Sequence, residues 1–191
     1  PGHGGMLLAP KVTKEIAETR GISMGKDCIS PAKHKEFSNP NQLIDFVKKL
    51  RKLSGNKPVG IKMCIGHPWE LVSIVKTMFL RKEYVDFITI DGAEGGTGAA
   101  PAEFTDHLGS PLKDAIVFVD NALVGSNLRE RVKIGVSGKI VSAFDIAHMC
   151  SLGADWINMA RPFMFSIGCI QCRSCHTGEC PTGIATMDPM R

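Results

Sequence analysis

The sequence predicts an α/β protein, and within that class roughly the C-terminal half of a TIM-type (β/α)8 barrel. Three observations lead there. From Pro58 onward, short apolar strands alternate with amphipathic helices, the pattern of parallel strands joined by helical crossovers. The right-handed rule for such crossovers leaves a doubly wound sheet or a β/α barrel. Each of the four strands then runs straight into a loop bearing glycine, lysine, arginine or acidic residues. One rim therefore collects the chemistry, as a barrel does. Four strands make half a barrel, so the first strands are expected from sequence outside this chain.

Taken in order, Pro1-Gly2-His3-Gly4-Gly5 is a glycine-rich loop. Lys11 to Arg20 has helical spacing, with Val12, Ile16 and Ala17 on one side and Gly21 as the stop. Ile22 to His34 reads as loop, punctuated by Ser30-Pro31. Leu43, Ile44, Val47, Leu50 and Leu53 recur at three- and four-residue intervals, so Asn41 to Leu53 is a helix capped by Asn39 or Asn41. Strands follow at Pro58–Met63, Phe87–Asp91, Lys133–Ser137 and Trp156–Ala160. Between them lie helices over Pro68–Lys82, about Pro111–Arg131, and from a Ser142 cap through Leu152 to the Gly153 stop. Phe163 to Ile170 begins another helix and delivers the chain into a cysteine loop.

At 191 residues, 43% hydrophobic and 22% charged, the chain has the make-up of an ordinary globular domain with a proper core. A net charge of +4, with the basic residues scattered, gives no support to nucleic-acid binding. No apolar run approaches the ~20 residues of a membrane span, and no signal peptide is visible, so a cytoplasmic location is expected. The chain opens on Pro1 without an initiator methionine, which reads as a piece of something longer.

Four of the seven cysteines, Cys169, Cys172, Cys175 and Cys180, fall within twelve residues. Thiolates this dense read as ligands of one metal centre, with free or disulfide-paired cysteines as the alternative. The first two gaps and the following proline match a bacterial ferredoxin run, but the last gap is one residue too long. A structural zinc site prefers two separated Cys-x2-Cys pairs, which the loop lacks. Spacing alone favours iron–sulfur.

Elsewhere, Gly138-Lys139 and Ala160-Arg161 end consecutive strands, where backbone N–H groups beside a cation suit a phosphate. Lys62 interrupts an apolar strand and is expected at the barrel mouth, facing an anionic or electron-rich ligand, with a strand-edge lysine snorkelling to water as the alternative. Glu94 lies in a loop with four glycines, as an acid–base group, as a group that orients a substrate amine, or as a solvated turn residue. The glycines there let backbone approach a planar or bulky ligand.

Asp91-Gly92-Ala93-Glu94-Gly95-Gly96-Thr97-Gly98-Ala99-Ala100-Pro101, then Asn121-Ala122-Leu123, Leu128-Arg129-Glu130-Arg131 and the run from Gly168 to Pro189 resemble the FMN-binding synthase domain of glutamate synthase. Pro1-Gly2-His3-Gly4-Gly5 and Ile29-Ser30-Pro31 are similar to the same family, so the resemblance covers essentially the whole chain. It implies a single domain, 1–191, incomplete at its N-terminus, with an iron–sulfur loop at 168–181. It also implies FMN and a 3Fe–4S cluster. The family's ligand spacing, Cys-x5-Cys-x4-Cys, lands on Cys169, Cys175 and Cys180 and leaves Cys172 as an extra thiol. Its strand lysine falls on Lys62, and Gly95, Gly96 and Thr97 lie against flavin and substrate. The phosphate end meets Gly138, Lys139, Ala160 and Arg161.

Two departures stand out. The family's Gly-His-Asp before the Gly-Gly-Thr-Gly run is Gly92-Ala93-Glu94 here, and its Asp-Gly-Gly phosphate turn is Ser137-Gly138-Lys139. The implied reaction reduces 2-iminoglutarate, formed from 2-oxoglutarate and ammonia, to L-glutamate, with Lys62 and Glu94 as the catalytic pair. The implied electron donor is ferredoxin or an NAD(P)H-linked subunit. Glutamine-derived ammonia would come from an amidotransferase domain or subunit, since the chain has no N-terminal cysteine nucleophile. The alternatives are a methylamine–glutamate N-methyltransferase-type subunit and an electron-transfer module with no substrate of its own.

Overall fold

The computed structural model describes residues 5–96, 100–101, 103–186, 188 and 190. In chain order the elements are β1 (Met6–Leu7), α1 (Lys14–Arg20), β2 (Cys28–Ile29), α2 (Pro40–Leu53), β3 (Ile61–Met63), α3 (Pro68–Arg81) and β4 (Phe87–Asp91). There follow α4 (Leu112–Gly125), β5 (Lys133–Ser137), α5 (Ala143–Ser151), β6 (Trp156–Asn158) and α6 (Arg161–Ser166). The chain divides into two compact units: residues 34–95 with 106–160, and residues 1–33 with 96–105 and 161–191.

The first unit is built on a parallel sheet of order β3-β4-β5-β6, each strand joined to the next by a helix, as the alternation in the sequence requires. Register fixes which side chains share a face, because laterally paired residues point the same way and alternate residues point oppositely. Ile61, Ile88 and Ile134 align in one row, and Met63, Ile90, Val136 and Ile157 in another. These rows merge into one apolar cluster with Leu43, Ile44 and Val47 of α2, Leu71, Val75 and Met78 of α3, and Ile116, Val119 and Leu123 of α4. Fully burying each such side chain stabilises the fold by about 1.5–3 kcal/mol. The opposite face carries Lys62, Phe87, Thr89, Asp91, Gly135, Ser137 and Trp156. There the Phe87 and Trp156 rings meet edge to face at 5.4 Å, lying over Gly60 and Gly135 where any Cβ would run into them.

At the N-terminal ends of the strands, carboxylates extend the ladder. Asp86 accepts the Val59 N–H at 2.7 Å and an Arg51 N–H at 2.7 Å, and Asp155 accepts the Ile134 N–H at 2.7 Å. Arg129 donates to Asp120 at 2.6 Å and to the Gly153 carbonyl at 2.8 Å, and its guanidinium lies 3.0 Å from Asp155.

Several boundaries differ from the sequence reading, each for a local reason. The helix expected to reach Arg131 ends at Gly125. There the Ser126 hydroxyl donates to the Ala122 carbonyl at 2.8 Å, Asn127 turns left-handed (φ 58°), and the Leu128 N–H returns to the Leu123 carbonyl at 2.8 Å. That is a backbone cap, and no proline or glycine after Gly125 announces it. The helix expected from Lys11 starts at Lys14, behind a 3-10 turn at Ala9–Lys11 and a Thr13 cap, and stops at left-handed Gly21 as expected. The one expected over Phe163–Ile170 is α6, ended near Gly168 (φ 97°). β3 and β6 are shorter than the apolar runs that mark them.

In the second unit, β1 pairs antiparallel with β2, Met6 opposite Ile29 and Leu7 opposite Cys28. The stretch read as loop thus holds a two-residue strand, too short for a period to register. The Pro1–Gly4 part of the opening glycine loop lies outside the described residues.

Gly135→Ala should destabilise the protein by about 1–3 kcal/mol through overpacking against Trp156. A lowered midpoint of chemical denaturation would show it, and an unchanged midpoint would mean the ring gives way freely.

Candidate functional site

The C-terminal ends of β3, β4 and β5 are laced together by backbone hydrogen bonds. The Ser110 N–H donates to the Ile65 carbonyl at 2.8 Å, the Ala93 N–H to Ser110 at 2.9 Å, and the Gly92 N–H to Ser137 at 2.9 Å. This rim holds Lys62, whose ammonium lies 2.6 Å from Asp91 Oδ2. The Ser137 hydroxyl donates to Asp91 Oδ1, also at 2.6 Å. Lys62 is 60% exposed at its side chain and sits on the face away from the isoleucine rows. Cys64 lies beside the rim against Gly109. Burial first, and then the charge of Asp91, push its thiol above the ordinary range.

Glu94 turns back onto α4: both carboxylate oxygens accept the Leu112 N–H, at 3.1 and 3.0 Å. Pro111 offers that helix no side-chain cap, so Glu94 satisfies the first free donor of α4 and places a negative charge at its positive end. Glycine is required at position 92, where a Cβ would strike the Glu94 carboxylate, and at 95, where it would sit 2.6 Å from Asp91 Oδ1. Gly96 takes a left-handed φ of 114°. Thr97 lies outside the described residues.

After β5, Gly138 (φ 145°) and Lys139 (φ 47°) make the tight turn that the sequence assigns to phosphate. The Lys139 ammonium is held by both oxygens of Asp106 at 2.6 Å. Next to it, α5 caps itself: the Val141 and Ser142 N–H groups and the Ser142 hydroxyl all donate to Asp145, while the Asp145 N–H donates to Ser142 Oγ. The Ser142 N–H and hydroxyl, then the Val141 N–H, hold the Asp145 carboxyl below its ordinary value of 3.8. Ala160, exposed, follows β6.

The second unit carries Arg161, the first residue of α6, and the cysteine loop. Lys11 clamps that loop from the N-terminal side, donating to the Cys175 carbonyl at 2.5 Å and the Ala185 carbonyl at 2.7 Å. Cys180 is buried, while Cys172 is exposed. The Thr182 hydroxyl, followed by the Ala185 N–H, pulls the Cys180 thiol down to about 6 against the opposing effect of burial. Burial, then the charges of Cys172, Cys169 and Cys180, push the Cys175 thiol up. His176 Nδ1 is buried and has no hydrogen-bond partner among the described residues. Among those residues, no three His, Cys, Asp or Glu side chains stand close enough together to hold a metal ion. None of their helices is long and apolar enough to cross a membrane.

Sequence reasoning did not single out Asp106 or Lys11, and it named Asp91 and Ser137 only within motifs, without their pairing. Asp91 and Ser137 were legible in principle, since each closes a strand that runs into a glycine loop. Asp106 and Lys11 act across long stretches of chain and leave no local signal.

A parallel sheet whose C-terminal rim gathers paired charges and glycine turns has the layout of a ligand-binding α/β protein. The sequence model described as the conserved region in glutamate synthase matches residues 1–190, and the chain belongs to that family. It is 47% identical over 187 residues to the glutamate synthase large subunit-like protein YerD of Bacillus subtilis, covering 98% of this chain and 35% of that protein. It is 37% identical over 190 residues to the archaeal-type glutamate synthase (NADPH) of Thermotoga maritima, covering 99% and 37%. The chain thus spans about a third of the length of these relatives. Among solved structures, a flavocytochrome b2 variant with sulfite bound aligns at a TM-score of 0.46 and 13% identity, over 90% of this chain and 36% of that one. So slight a likeness carries no argument.

Asp145→Asn should lower stability at neutral pH. Because the Asp145 carboxyl is held below 3.8, its contribution is present above that value and fades as pH falls through the lower folded value. The gap between the two proteins should therefore close on acidification below about 3.8, read in unfolding midpoints across pH. A gap of equal size at every pH would refute the charged cap.

Proposed function

We propose that the protein is a glutamate synthase-type oxidoreductase, in which this chain is part of a single FMN-binding synthase domain. The family match over residues 1–190 is the observation that carries this reading. The open four-stranded sheet would be completed into a β/α barrel by strands outside this chain. Ammonia and 2-oxoglutarate would condense with loss of water to 2-iminoglutarate, which is reduced to L-glutamate. Ammonia would be free or drawn from glutamine by an amidotransferase domain or subunit. The donor would be ferredoxin or an NAD(P)H-linked subunit, the setting would be cytoplasmic, and no nucleic-acid partner is expected.

FMN, when bound, supplies hydride to the imine carbon. The residues present fit it: an exposed ammonium, Lys62, stands on the polar sheet face beside glycine loops. Lys62 would hold positive charge against the reduced flavin or a substrate carboxylate. Glu94, tied to the Leu112 N–H of α4, would hold the start of the glycine loop in place, and would act on substrate as acid–base or orienting group only by leaving that N–H. Gly138, Lys139, Ala160 and Arg161 would receive the phosphate, with Lys139 shared between it and Asp106.

A 3Fe–4S cluster, when bound, supplies one-electron transfer from the donor. Its ligands would be Cys169, Cys175 and Cys180. The donor type suits it in part: a Cys180 thiol at about 6 is mostly thiolate at neutral pH, the form that ligates metal, whereas the Cys175 thiol is pushed up. Among the described residues the three thiols do not stand close enough to share an ion, so the loop would have to draw in around the cluster.

The test is the intact protein, purified with iron and flavin and assayed with ammonium plus 2-oxoglutarate against methylamine plus glutamate. Glutamate formation and flavin absorbance support the proposal; a full-length, iron-replete protein without flavin sinks it. For the cluster, Cys172→Ala should keep the 3Fe–4S signal in electron paramagnetic resonance, and Cys175→Ala should abolish it. A native 4Fe–4S centre that Cys172→Ala converts would instead make Cys172 a fourth ligand.

A further inference from the structure

Lys62, Asp91 and Ser137 form a line across three adjacent strands, on the sheet face opposite the isoleucine rows. Asp91 stands directly opposite Ser137 in the β4–β5 ladder, and two residues beyond Thr89, the partner of Lys62. We infer that Asp91 is a positioning residue for the chemistry proposed above, a role that rests on that reading. Its carboxylate holds the Lys62 ammonium at the C-terminal rim and offsets part of the positive charge presented to a bound flavin or anionic substrate.

The carboxylate is fixed from two sides. Oδ2 takes the ammonium and Oδ1 the Ser137 hydroxyl, each at 2.6 Å. It also fills the space a side chain at position 95 would need, so the glycine loop and the carboxylate share one arrangement. Lysine is a flexible four-carbon stem with a compact charge, and an exposed one wanders unless a partner pins it. Here the partner is charged and itself pinned.

A plain structural ion pair accounts for less. The Lys62 side chain is 60% exposed, and exposed pairs contribute little to folding. β3 and β4 are already joined by their ladder. The other acidic groups nearby do not serve Lys62: Glu94 is turned to the Leu112 N–H, and the Cys64 thiol stays protonated through burial and the Asp91 charge. Asp91 therefore governs how strongly the rim's exposed cation acts. A cation beside a flavin favours the negatively charged reduced form, and a carboxylate on that cation weakens the effect.

The experiment is a redox titration of the flavin in the intact, flavin-loaded protein. Asp91→Asn should shift the midpoint potential upward, Asp91→Glu should bring it back toward the parent, and Ser137→Ala should give a smaller upward shift. Lys62→Met should shift it downward, and the Asp91→Asn/Lys62→Met double variant should match Lys62→Met alone, because Asp91 acts through Lys62. Should Asp91→Asn fail to fold, the Ser137→Ala shift decides the matter. A flavin-loaded Asp91→Asn protein at the parent potential overturns this inference alone, as does a shift that persists without Lys62. A parent protein that carries no flavin overturns the proposed function and this inference with it.

Discussion

Everything at the rim depends on one constraint, the in-register alternation of the parallel sheet. Because Ile88, Ile90, Ile134 and Val136 point to the helices, Thr89, Asp91, Gly135 and Ser137 must point the other way. A slip of one residue would bury Asp91 among isoleucines and turn Ile90 to the open face. Burial of the apolar rows thus holds Lys62, Asp91 and Ser137 in line as firmly as it holds the core. Their own hydrogen bonds refine the geometry that the core imposes.

The two ends of the strands are built differently. At the N-terminal end, Asp86 and Asp155 accept strand N–H groups while Arg51 and Arg129 tie down their charges. Two carboxylates there do the work of extra ladder rungs. At the C-terminal end the ties are backbone to backbone, from Ile65 through Ser110, Ala93 and Gly92 to Ser137. Loops fixed by backbone do not need their side chains to hold their course, so the charged groups there pair with one another at the rim, and this suits the rim to chemistry and the opposite end to stability.

The helices α2 to α5, the four strands and their order were legible in the sequence, because apolar periods of 3.6 and runs of Ile and Val report burial directly. The ends of elements were less so. α4 stops at Gly125-Ser126-Asn127, where left-handed Asn127 and the Leu128 N–H close the helix, a stop that the apolar period running on to Leu128 masked. At the rim, the glycine turns and Lys62 could be read because residue type alone restricts what they do. The partners of the charges could not. Asp106 is 33 positions from Lys139, and Lys11 is 164 from Cys175, and only folding brings them together. Glu94 shows the same gap: its neighbours suggested an acid–base group, an orienting group or a solvated turn residue, and none of these pointed to the helix N-terminus that it closes 18 residues on.

Charge pairing bears on how such a rim would receive the anion proposed for it. Lys62 and Lys139 each already hold a carboxylate at 2.6 Å. For partly exposed pairs of this kind the net worth is only about 0–1 kcal/mol, so an incoming phosphate or carboxylate gives up little by sharing the cation. Against that small cost stand charge-assisted hydrogen bonds, worth about twice their neutral counterparts, and backbone N–H groups already turned by Gly138 and Lys139. The carboxylates then serve a purpose when no ligand is present, since they keep two flexible lysines at the rim in fixed positions. An anion meeting pre-placed ammonium groups has less side-chain freedom to freeze than one that must gather them, and that saving favours binding.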